Sequence, residues 1–151
     1  MAHPVVVGYE GSGCSAAALD TAIDLTRDTA GGLVVLVYCH EPPPGLSCPL
    51  DPACAAAKEL RDYEHRIEQE VEPMLAHAAD LVRAAGVPVE VELVWDEPVR
   101  ALQAVAARRD SRVIVVGSHG EGLLAGALRR HTALELLHHS RVPVLVVPTR
   151  P

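Results

Sequence analysis

The stretch from Arg112 to Gly122, Arg-Val-Ile-Val-Val-Gly-Ser-His-Gly-Glu-Gly, constrains the fold more than any other. Its apolar run, Val113 to Val116, stops at Gly117, and a second glycine follows at Gly120. Such a run suits a strand buried on both faces, as in a parallel sheet. Glycines placed after it let the backbone turn sharply and approach another group closely, since they lack Cβ. A helical pattern follows from about Ala127 to His139. Strand, glycine turn and helix in succession direct free backbone N–H groups at an anion.

The same succession recurs along the chain. Pro4 to Gly8 predicts a strand, and the glycine-rich corner Gly8–Gly13 opens a helix over about Ser15 to Ala30, with Ser12 and Ser15 as candidate N-caps. Leu19, Ile23 and Ala30, with Ala16 and Ala22 near them, are its expected buried face. Leu33 to Cys39 is a second interior strand. Five prolines (Pro42, Pro43, Pro44, Pro49 and Pro52) with Gly45 then exclude regular structure from a surface loop, residues 41–55. From about Ala56 to Ala85, Leu60, Ile67, Val71, Leu75, Ala78 and Val82 recur at helical spacing, and Pro73 is expected to kink or split that helix near Val71. Val87 to Trp95 alternates Val89, Val91 and Leu93 with Glu90 and Glu92, which predicts an edge strand with one exposed face. Asp96-Glu97-Pro98 opens a short helix whose buried stripe is Val99, Leu102, Val105 and Ala106, and Val142 to Val147 is a fifth strand. Strands alternating with helices define an α/β fold with a parallel sheet, right-handed crossovers and helices on both faces. Residues 1–151 read as a single domain, without an internal repeat or a dividing linker. In such sheets the ligand crevice lies at the carboxyl ends of the strands where the winding reverses. The two glycine corners then face each other if their strands are neighbours.

Charge and composition narrow the function. A net charge of −7, no Phe and one Trp argue against a nucleic-acid or anionic-membrane surface. No stretch approaches the ~20 apolar residues of a membrane span, and Met1-Ala-His-Pro runs straight into a strand, so a cytoplasmic location is expected. There Cys14, Cys39, Cys48 and Cys54 fit reduced thiols better than a disulfide framework.

The segments Val5-Val-Val-Gly-Tyr-Glu-Gly-Ser, Leu33-Val-Val-Leu-Val-Tyr-Cys-His-Glu-Pro, Val113-Ile-Val-Val-Gly-Ser-His-Gly-Glu-Gly and Val142-Pro-Val-Leu-Val-Val-Pro together resemble the universal stress protein family, in order and along essentially the whole chain. The resemblance implies a five-stranded parallel sheet of order 3-2-1-4-5, a Rossmann-like arrangement. It also implies a homodimer through the C-terminal strand (142–148), and ATP in the crevice between the first and fourth strands, a ligand that many but not all family members take. Family members that bind it resemble G-x-x-G, nine residues, then G-[ST], with an Asp ending the first strand. Gly117 and Gly120 match the first pair. Arg130 and His131 stand where Gly and Ser or Thr are expected, with Thr132 one position late, and Glu10 stands where Asp is expected. The implied ligand set is Tyr9, Glu10, Gly11 and Cys39 around the adenosine, Gly117, His119 and Gly120 at ribose and phosphates, and Arg130, His131 or Thr132 at the far phosphates. Arg130 adds bulk where backbone should approach phosphate, yet supplies a guanidinium suited to it.

Three functions stay open at this point. One is a sensing or regulatory module for ATP or another adenine nucleotide, with or without Mg. Another is a dimeric scaffold without nucleotide, meeting a protein partner at loop 41–55. The third is a slow ATPase, the weakest, because no metal ligand or nucleophile-positioning residue stands out. Cys48 and Cys54, and His138-His139 at a helix end, need no metal to explain them, so no metal site and no catalytic residue are expected.

Overall fold

The computed structural model describes residues 3–45, 55–118 and 132–149. Five strands, β1 (Val5–Gly8), β2 (Val34–Cys39), β3 (Val89–Val94), β4 (Val113–Gly117) and β5 (Val144–Val147), form one sheet of order β3-β2-β1-β4-β5. Every pairing is parallel. Between the strands run α1 (Gly13–Arg27), α2 (Ala55–Ala84), α3 (Pro98–Arg108) and α4 (Thr132–His139). The expected architecture and strand order therefore hold.

Strand alternation sorts the sheet's side chains into two cores. Val5, Val7, Tyr9, Val34, Leu36, Tyr38 and Val115 pack with Leu19 and Ile23 of α1 and with Ile67, Val71, Leu75 and Val82 of α2. Val6, Val35, Val37, Cys39, Ile114 and Val116 meet Val99, Leu102 and Val105 of α3 and Leu136 of α4. β1, β2 and β4 are nearly all apolar because both of their faces are covered. Each fully buried Val, Leu or Ile among them contributes about 1.5–3 kcal/mol.

Several local expectations need correction. α1 begins at Gly13, with Ser12 as the N-cap accepting from Ser15 N–H, and it ends at Arg27. Its buried face is Ser15, Ala18, Leu19, Ala22, Ile23 and Thr26, so Ala16 and Ala30 are left exposed. α2 is not split: it runs unbroken through Pro73. Pro73 and Gln69 are both exposed, so the carbonyl deprived of its helical partner faces water. β3 is indeed an edge strand, but its exposure does not follow the alternation: Val91 is 42% exposed, whereas the Glu92 side chain is only 16% exposed. Glu92 is drawn in by Arg109, whose Nε donates to Oε1 at 2.8 Å, and by Arg108. Arg109 also pairs with Glu90 at 2.5 Å, which ties the end of α3 to the sheet edge. The expected first turn of the last helix, Ala127 onward, and residues 46–54 of the proline-rich loop, with Cys48 and Cys54, lie outside the described residues.

Candidate functional site

The site is built where β1 leaves the sheet. Val5 is level with both Val34 and Val113, so β1 lies between β2 and β4 and the winding reverses at the β1/β4 seam. Tyr9 N–H still donates to Val37 O at 2.9 Å, and carrying the Gly8–Val37 register on by two residues brings Glu10 level with Cys39. Gly11 then takes a φ of +87°, which glycine adopts freely and which turns the chain into α1. Met74 of α2 lies against Gly11, where a Cβ would otherwise stand.

Glu10 is 3% exposed. The Ser12 hydroxyl donates to its Oε1, while its Oε2 is buried with no hydrogen-bond partner among the described residues. Burial raises the carboxyl above its usual range and outweighs the opposing hydrogen bonds from Ser12 and Ser15. Ser15 Oγ in turn donates to Ser12 O at 3.0 Å, so the corner is held by its own hydroxyls. An unsatisfied buried acceptor is costly, about 1–3 kcal/mol, and calls for a donor.

The other expected ligand residues divide into three groups. Tyr9 is packed into the core shared with α1 and α2, and burial, then Glu10 and Asp20, raise its phenol. Cys39 is 4% exposed with its side chain in the α3 core; burial, then Glu97 and Asp96, push its thiol up to about 12, so it is inert and only its backbone is suited to a ligand. Gly117 is brought to the first corner as expected: a Cβ there would lie 2.7 Å from the carbonyl carbon and oxygen of Cys14 in the first turn of α1. Its glycine is therefore demanded by packing, whatever else it serves. Thr132 is buried at the start of α4. His119, Gly120, Arg130 and His131 lie outside the described residues.

One cluster at the same end of the sheet was missed by the sequence reading. His40 Nε2 and Tyr63 Oη are 2.6 Å apart, Tyr38 stacks on the His40 ring, and Trp95 meets it edge-on. Burial lowers the imidazole's pKa, against the smaller opposing effect of Glu70. The signal was there, since Tyr38 and His40 share strand parity and Tyr63 extends the Ile67–Val71 row back by one turn. Among the described residues no group of three or more His, Cys, Asp or Glu side chains is placed to hold a metal ion, and no helix is long and apolar enough to cross a membrane.

A doubly wound parallel sheet with its reversal at the β1/β4 seam defines the class: an α/β domain of Rossmann-like architecture. The sequence profile described as "Universal stress protein family" matches residues 1–148, and the chain belongs to that family. Among its relatives, Universal stress protein Rv1996 of Mycobacterium tuberculosis (strain H37Rv) is 28% identical over 97% of this chain and 48% of its own length. Universal stress protein Rv2005c of the same strain is 40% identical over 53% of this chain and 27% of its own length. The chain thus spans about half the length of Rv1996. Of solved structures, a universal stress protein in complex with cAMP is similar at 25% identity, with a TM-score of 0.69 and 98% of each chain covered. Protein MJ0577 shares the fold with a TM-score of 0.81 at 17% identity, over 100% of this chain and 99% of its own. The universal stress protein from Archaeoglobus fulgidus in complex with dAMP does so with a TM-score of 0.61 at 23% identity, over 96% of this chain and 97% of its own.

Proposed function

We propose that this chain is a cytoplasmic sensing or regulatory module of the stress response that binds an adenine nucleotide, ATP with or without Mg, at the carboxyl ends of β1 and β4. The observation that carries the reading is Glu10: a buried carboxylate at the reversal seam, level with Cys39, with one oxygen unpartnered among the described residues. A ligand amine or hydroxyl would satisfy it. The cAMP and dAMP held by two structural neighbours support an adenine compound as the ligand class. His119, Gly120, Arg130, His131 and Thr132 are assigned to the ribose and phosphates by their place in the family motif. We assign no catalysis to the site, because no nucleophile-positioning group stands out among the described residues.

The test is titration of nucleotide-stripped protein with Mg-ATP, AMP and cAMP by calorimetry and thermal shift. Saturable binding that raises the melting temperature, weakened roughly tenfold or more by Glu10→Ala, is expected. A flat trace with all three, and unmoved melting, rejects the reading. Gly117→Val is unsuitable for this purpose, because it collides with Cys14 whether or not a ligand binds.

A second reading, a dimeric scaffold without nucleotide that meets a protein partner at loop 41–55, is favoured by the closure of the site. Both Glu10 and Cys39 are sealed from solvent, and Arg130-His131 replaces half of the phosphate motif. In either case we assign the homodimer contact to β5. Among the described residues its outer edge is unpaired, and Leu145 of β5 with Leu134 and Leu137 of α4 are 36%, 54% and 55% exposed.

A further inference from the structure

We infer that the open edge of β3, with the groove it forms against α2, is a docking site for an extended basic segment of another protein. The groove holds about 390 Å3 and is floored by Val71, Leu75, Ala76, Val91 and Leu93. Glu68 and Glu72, one helical turn apart on α2, form its rim, and neither takes part in an ion pair among the described residues.

The edge itself is ready to pair. Val34 N–H donates to Pro88 O at 3.0 Å and His40 N–H to Val94 O at 2.9 Å. In a parallel ladder the N–H and C=O of one residue face the same neighbour, so the even-numbered residues of β3 turn to β2. The backbone groups of Val89, Val91 and Leu93 are left on the outside. Outer strands are usually blunted by charged side chains, Lys above all, by Pro or by a bulge. Val89–Val94 contains no Lys or Pro, its two charges, Glu90 and Glu92, are taken up by Arg108 and Arg109, and its register with β2 is unbroken over all six positions.

A segment added here as a sixth strand would gain ladder bonds from those three residues and seat alternate side chains on the α2 side. That face calls for an apolar residue over Leu75 and Ala76, followed at the next two alternate positions by Lys or Arg for Glu72 and Glu68. Residues two apart on a strand and one turn apart on a helix span similar lengths, about 7 and 6 Å, so both pairs form together. A second copy of this chain fits poorly: it carries a net charge of −7, and none of the five strands described contains Lys or Arg.

The probe is a labelled peptide, Thr-Val-Thr-Lys-Thr-Lys-Thr, titrated by fluorescence anisotropy. Three controls accompany it: the same peptide with Glu for Lys, the same peptide with Pro for the two central Thr, and the double variant Glu68→Lys, Glu72→Lys. The expected result is saturable binding weakened at least about tenfold by each control, with slowed amide exchange at residues 89–93. No binding, equal binding of the Pro peptide, or binding indifferent to the charge reversal overturns the proposal. So does concentration-dependent pairing of the protein that Val91→Lys abolishes, because the occupant would then be a second copy.

Discussion

At Gly117 a Cβ would press on backbone atoms of Cys14, which cannot yield without moving α1. Gly117→Ala is therefore expected to destabilise the protein by about 1–3 kcal/mol in urea unfolding, with or without nucleotide; an unchanged midpoint would show that the corner has room. Glu10 makes a prediction in pH. Its carboxyl titrates above the ordinary 4.5 when folded, because burial disfavours the charge. Between 4.5 and that higher value the native state holds more protons than the unfolded chain. The Glu10 contribution to stability is thus fullest below the unfolded value and declines as pH rises through the folded one. Unfolding free energies from about pH 4 to pH 7 should accordingly move against wild type relative to Glu10→Gln. The opposite trend would mean that the carboxylate is stabilised as an anion.

At the scale of elements, α2 shows how tertiary packing overrides a local breaker. Pro73 lacks an N–H, but the buried row Ile67, Val71, Leu75, Ala78 and Val82 runs past it on the other face and holds both halves to the sheet. The N-terminal half is further tied down through Tyr63 and His40. Tyr63→Phe should cost about 1 kcal/mol, measured by denaturant unfolding. His40 titrates below its ordinary 6.5 in the folded state, so the unfolded chain binds the proton more readily. Stability from this residue is present above 6.5 and is lost as pH falls through the folded value. His40→Phe should remove that slope, and a slope that persists in the variant would assign it elsewhere.

For the whole molecule, the two outer strands present different surfaces. β5 lies beside exposed leucines of α4, whereas β3 borders an acid-rimmed groove. The proposed β5 dimer predicts that Leu137→Asp with Leu145→Arg shifts sedimentation from dimer to monomer while circular dichroism is retained; a species unchanged in mass would remove that interface. The sequence by itself determined the α/β class, the interior strands and the edge position of β3, because burial on two faces demands unbroken apolar runs and burial on one does not. It also placed the first glycine corner, where Gly11 takes its positive φ, since backbone turning is written in residue type. Only the tertiary structure decided that α2 survives Pro73, that Glu92 lies more buried than Val91, and that Gly117 abuts Cys14. It alone also showed that one oxygen of Glu10 is shut away without a partner among the described residues. Each of these depends on which atoms, distant in sequence, come to lie against one another, and periodicity carries no information about that.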